Sequence, residues 1–295
     1  MKVGVLLPLG EEPYFSSTPS HAEIRRFALQ AEEAGLDSVW FVDHLVYRLG
    51  GGTTGVQECW TTAAAVAVAT SRVELGTLVV ATEFRNPALL AKMAASVDEL
   101  SDGRLTLGLG AGWHDPEYEA FGYPTDHKVG RFEESLQIIR GLLHDGEPVT
   151  FDGRYHSVAD CVLVPPPGRR IPILVASFRP RMLELTARHA DGWNTAWYGA
   201  PDEGLATARA DLQAACERVG RTEPLTITVG IHVHYPDLHP TLEGRDPLTG
   251  GPDEIAAGLA AHAAQGAEHV VAWLVPQTAE ALARFAEGVA RFRAA

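Results

Sequence analysis

Three stretches of the chain carry residue types able to do chemistry. Asp43 and His44 stand together at the end of an apolar run, SVWFVDH (38–44). An imidazole can exchange a proton near neutral pH, and a neighbouring carboxylate can orient it. Residue type alone leaves a merely structural histidine equally open. The second stretch is GRLTLGLGAGWHDPEYEAFG (103–122), where Gly108, Gly110 and Gly112 look like a phosphate-cradling turn. The third is His232 and His234 in ITVGIHVHY; two apart on a strand, they share a face, but no third metal ligand accompanies them.

These residues need a scaffold, and the chain alternates β-rich runs with helical ones. KVGVLLPL (2–9) reads as a strand, and HAEIRRFALQAEEAG then places Ile24, Phe27, Ala28 and Ala31 on one helical face. Ser20 and Glu23 form a capping box before it, and Gly35 is a suitable stop. Further strands are expected at 38–44, 73–81, 104–113, 171–177, 192–197, 225–235 and 269–276, with helices between them. Eight strand–helix units with near-continuous apolar strands predict a closed parallel (β/α)₈ TIM barrel, one domain over 1–295. VTFDGRYHSV (149–158) predicts a hairpin inserted before the fifth strand, turning at Asp152-Gly153. Because it follows a helix, it is expected on the face opposite the chemistry. PDLHPTLEGRDPLTGG (236–251) reads as a loop insertion after the seventh strand and as a lid or specificity element.

The barrel reading answers the question of the glycines. A dinucleotide turn needs G-x-G-x-x-G between strand and helix, whereas this stretch has G-x-G-x-G within and just past the fourth strand. There, bare backbone would let a planar ligand approach the barrel mouth. The mouth is built from the C-terminal strand ends, which supply Asp43-His44, Trp113-His114, Ser177 to Arg179 and Trp197-Tyr198, then His232 and His234. Aromatic groups in that ring suit a wide, flat, partly apolar cofactor.

Composition narrows the classes further. A net charge of −14 argues against nucleic acid or an anionic membrane as partner. Cys59, Cys161 and Cys216 are scattered without a CxxC pair and read as reduced thiols. The first residues lack the pattern of a signal peptide or spanning helix, so a cytoplasmic protein is expected. A metal-dependent hydrolase would need carboxylates and histidines clustered at several strand ends, and the sequence does not supply them.

AEEAGLDSVWFVDH, ECWTTAAAVAVATSRVELGTLVV, FRNPALLAKMAASVDELSDGRLTLGLGAGW, EYEAFGYP and IPILVASFRPRMLELTARHADGW follow one another through most of residues 1–197. In order and spacing they resemble the luciferase-like oxidoreductases that use flavin or deazaflavin, most closely the branch using coenzyme F420. The resemblance implies hydride exchange between F420 and a small organic substrate, with His44 in the active site and Asp43 orienting it. It implies a non-prolyl cis peptide at Leu78-Val79 against the cofactor ring, with Gly110, Ala111, Gly112 and Trp113 along the cofactor edge. The fifth-strand loop, Ala176, Ser177 and Arg179, would hold a phosphate at a helix N-terminus. Many relatives have two glycines where this chain has Ala176 and Ser177. The alternatives are an FMN-dependent monooxygenase fed by a partner reductase and a non-catalytic flavin-binding barrel. A homodimer is expected through the Ala-rich helices at 59–70 and 87–100.

Overall fold

The structure is a computed structural model that describes residues 1–12, 14, 15, 17–240 and 246–295. Its strands are β1 (Lys2–Leu6), β2 (Ser38–Phe41), β3 (Glu74–Thr77), β4 (Val80–Ala81), β5 (Leu105–Gly110), β6 (Val149–Asp152), β7 (Ser157–Cys161), β8 (Ile173–Ala176), β9 (Gly192–Tyr198), β10 (Thr226–His234) and β11 (His269–Val275). Its helices are α1 (His21–Glu33), α2 (Cys59–Ala69), α3 (Pro87–Leu100), α4 (Asp115–Phe121), α5 (Lys128–Arg140), α6 (Pro180–His189), α7 (Gly204–Val219), α8 (Pro252–Ala264) and α9 (Ala279–Ala294). The sheet runs β3-β2-β1-β11-β10-β9-β8-β5-β4, and β3 also pairs with β5, closing a parallel barrel. β3 and β4 form one barrel strand, interrupted at the cis peptide Leu78-Val79, where the sequence places it. A second non-prolyl cis peptide, Ala196-Trp197, lies in β9.

Side-chain alternation sorts the interior into two layers. Val3, Val5, Leu107, Leu109, Val229, Ile231, Val270 and Ala272 belong to the main core, packed outward against the helices. Their neighbours Leu6, Trp40, Leu78, Leu174 and Val271 form a separate cluster that fills the barrel. Two glycines make room for it. A Cβ on Gly76 would meet the Trp40 ring at 2.3 Å, and one on Gly4 would meet Ser38 Oγ at 1.9 Å. Ser38 Oγ accepts the Trp40 indole N–H at 2.7 Å and lies 2.7 Å from His269 Nε2. Trp40, Ser38 and His269 thus seal the N-terminal end of the barrel.

The helix starts follow local chemistry. Ser20 and Glu23 form the expected capping box, Asn86 Oδ1 accepts the Ala88 and Leu89 amides, and Pro87, Pro180 and Pro252 open α3, α6 and α8. The hairpin β6–β7 departs from expectation. β6 climbs back along α5, and Glu134 accepts the amides of Arg154, Tyr155 and His156. Tyr155 lies under the Arg131 guanidinium, and His156 Nε2 sits 3.6 Å from Glu83 just past β4. The hairpin tip therefore reaches the C-terminal rim. Position after a helix set where the insertion begins, not where a strand pair long enough to retrace that helix ends. The insertion after β10 is present at 235–240 and 246–251, and the rest of the expected lid, 241–245, lies outside the described residues.

Candidate active site

β2 ends at Phe41, so Asp43 and His44 lie in the loop at the C-terminal mouth. They face different partners. His44 Nδ1 is 2.8 Å from Glu117 Oε1, and Glu117 Oε2 accepts the Leu45 amide at 2.9 Å. The Glu117 side chain is 1 % exposed and that of His44 13 %. A carboxylate only accepts, so a hydrogen sits on Nδ1, and a neutral ring held this way carries its lone pair on Nε2. Tyr47 and Trp113 flank the imidazole at ring distances of 4.4 and 5.6 Å. His114, buried beside them, accepts the Arg48 amide at 3.0 Å through Nε2.

Asp43 does not orient His44. Its carboxylate takes both arms of the Arg85 guanidinium, at 2.7 and 3.0 Å, and the Ala81 amide at 3.2 Å. Arg85 also donates to Glu58 at 2.7 Å. Burial opposes the Arg85 charge, but Asp43 and Glu58 hold its pKa above the ordinary guanidinium range. Asp43 anchors the β2 loop to β4 and to the start of α2. The neighbour in sequence thus pairs away from His44, and a glutamate on α4 pairs with it instead. Glu117 is the residue that sequence reasoning missed. It stands 73 positions from His44, and no spacing links the two.

The glycines of the fourth barrel strand have a different use from the one expected. A Cβ on Gly110 would meet Val79 Cγ2 at 2.7 Å, and one on Gly112 would meet the Tyr118 hydroxyl at 1.7 Å. The space beside the missing side chains is filled by the protein, so Val79 and Tyr118 account for the lack of a side chain at Gly110 and Gly112. Gly110 admits the Leu78-Val79 bulge, and Gly112, at φ +75°, admits Tyr118, whose hydroxyl donates to the Ala111 carbonyl. Trp113 projects from the same loop and is 63 % exposed.

At the fifth-strand end, Ser177 is also committed elsewhere. Its hydroxyl lies 2.8 Å from Thr186 Oγ1, and its carbonyl accepts the Trp193 indole N–H at 2.9 Å. It therefore does not replace glycine as a hydroxyl donor to phosphate. Arg179, directly before the first turn of α6, is exposed and has no carboxylate partner among the described residues. Unsatisfied first-turn amides with an unpaired guanidinium beside them fit a phosphate-bearing group.

Across the mouth, His232 on β10 lies with Trp197 and Trp273, at ring distances of 5.4 and 5.0 Å, and the two indoles are 5.4 Å apart. His234 Nε2 is taken by the His239 carbonyl at 2.7 Å. No group of three or more histidine, cysteine or acidic side chains able to hold a metal occurs among the described residues.

A closed barrel with a histidine–glutamate pair at its mouth and an interrupted third strand can be compared with known proteins. The family model described as luciferase-like monooxygenase matches residues 1–239. The chain belongs to that family. An F420-dependent glucose-6-phosphate dehydrogenase of Kineococcus radiotolerans is 36 % identical over 202 residues, covering 67 % of this chain and 59 % of the relative. A pyrimidine monooxygenase, RutA, of Methylobacterium radiotolerans is 35 % identical over 233 residues, covering 71 % and 60 %. The chain thus spans about three-fifths of the length of these relatives. Among solved structures, an F420-dependent secondary alcohol dehydrogenase superposes with a TM-score of 0.81 over 99 % of both chains at 19 % identity, a likeness of fold. The relatives matched are named as dehydrogenases and as monooxygenases. No helix of the described chain is long and apolar enough to cross a membrane.

Proposed function

We propose that the protein, acting as one barrel over residues 1–295, exchanges a hydride between coenzyme F420 and a small organic substrate. The observation that carries this reading is the His44–Glu117 pair: one imidazole at the mouth, fixed in the tautomer that leaves Nε2 as acceptor. Bound at the mouth, F420 supplies a two-electron carrier that accepts or returns hydride. The bulge at Leu78 and Val79 would support its ring, Ala111 and Trp113 its edge, and Arg179 with the α6 N-terminus its phosphate. His44 Nε2 takes the hydroxyl proton of an alcohol as the carbon loses hydride, and returns it when a carbonyl is reduced. Glu117 balances the charge this creates. Asp43 acts on the reaction only by fixing the loop that carries His44.

The 35 % identity to a pyrimidine monooxygenase favours a second reading, in which a partner reductase supplies reduced FMN and the same mouth serves oxygenation. Titration with oxidised F420 and, separately, FMN, followed by fluorescence quenching, separates them. Tighter binding of F420 is expected. Tighter binding of FMN transfers the assignment to oxygenation, to be followed by oxygen consumption, and binding of neither defeats both.

We infer a cytoplasmic homodimer. Val68 on α2 and Leu89 on α3 are 66 % and 53 % exposed, a surface apolar enough to meet a second copy. Light scattering of the purified protein checks this.

A further inference from the structure

We propose that the site takes a neutral, ring-bearing substrate in preference to a phosphorylated one. The inference rests on the reading of the mouth as an oxidoreductase site and names the substrate class. In the closed strand order, the third barrel strand with its Leu78-Val79 bulge stands diametrically opposite β10. The wall facing the bulge is therefore made by β9, β10 and β11. Its inward side chains near the mouth are Trp197, His232 and Trp273, mutually packed at 5.0 to 5.4 Å. Both indoles are only half-buried, and the Tyr14 hydroxyl nearby donates to Gln277 Oε1 at 3.3 Å. A planar group seated on the bulge leaves its substrate between that group and this aromatic wall. Such a wall favours a flat apolar partner by area and by ring stacking.

Charge points the same way. The loops after β9, β10 and β11 carry Asp202, Glu203 and Asp246, and their described residues include no lysine or arginine. Cations without a carboxylate partner among the described mouth residues are Arg48 and Arg179, on the loops of the second and fifth barrel strands. Among the described residues of these three loops, a phosphate ester would meet carboxylates and no guanidinium or ammonium group. His44 lies in the loop after the second strand, at the edge of the same gap, where it reaches the hydroxyl or carbonyl of a ring-bearing substrate.

The test measures binding to the protein saturated with whichever of F420 and FMN it takes, or to the protein alone if it takes neither. 1-Phenylethanol, acetophenone and glucose 6-phosphate are titrated against tryptophan fluorescence. The two ring compounds are expected to bind at least about tenfold tighter than glucose 6-phosphate. Trp273→Ala should weaken them about tenfold and Trp273→Phe about twofold, as loss and partial retention of a stacking face imply. If the alanine variant does not fold, the phenylalanine variant carries the comparison. Equal or tighter binding of glucose 6-phosphate overturns the proposal. So does failure of both ring compounds to bind at millimolar concentration, or unchanged affinity in both variants. Failure to bind F420 defeats the cofactor assignment alone and leaves this comparison standing.

Discussion

Two histidines sit at opposite ends of the barrel, each with an oxygen close by, and they differ in almost everything that matters. His269 at the floor is 2.7 Å from the Ser38 hydroxyl, and His44 at the mouth is 2.8 Å from the Glu117 carboxylate. The floor ring is 6 % exposed, its partner is uncharged, and burial pushes its pKa down to about 4. It stays neutral and completes a plug with Trp40. The mouth ring reaches solvent, and its partner can balance a positive charge. Under the proposed function, equal distances thus yield a structural residue in one place and a proton-handling one in the other. Partner chemistry and access decide, not the residue type.

The contrast can be broken from either end. The largest effect is expected from His44→Ala: about 10²- to 10⁴-fold lower turnover with cofactor quenching and thermal unfolding little changed, the usual worth of a positioned proton acceptor. Turnover within threefold of the parent would put the proton elsewhere. Next comes acid. The folded pKa of His269 lies below the unfolded value of 6.5, so the unfolded chain binds its proton more readily between the two. Its contribution is full above about pH 6.5 and is lost as pH falls towards 4, roughly 3 kcal/mol in all. Urea unfolding at pH 7 and pH 4, on the parent and on His269→Gln, measures that share. A parent and variant with the same pH slope would remove His269 from the account.

Ser38→Ala leaves the Trp40 indole and the His269 ring without their shared partner and should cost about 1–3 kcal/mol of stability. Cofactor affinity should not move; if it does, floor and mouth are coupled. The smallest effect is expected from Glu117→Gln, about a tenfold fall in kcat with KM nearly constant, a fraction of the proton-transfer contribution. Its specific mark is loss of the fixed Nδ1–H tautomer of His44 in nitrogen-15 NMR spectra. A Glu117 that only supported the Leu45 amide would leave that spectrum unchanged.

The barrel and the mouth's location were legible in the sequence because period-two alternation, helix caps and eight repeated units are local signals. Even the interrupted third strand could be placed, since its surrounding segments resemble a known family. The partners of the chemical groups could not be read. Asp43 sits beside His44 in sequence yet turns to Arg85, while Glu117 arrives from another strand–helix unit. The same holds for Gly110 and Gly112, whose missing side chains are explained only by Val79 and Tyr118 across the fold. Ser177 reads as a rim hydroxyl, and only α6 reveals that Thr186 claims it.

The plug of Trp40, Ser38 and His269 also governs traffic. A vessel closed at one end has a single doorway, so whatever enters by the mouth must also leave by it.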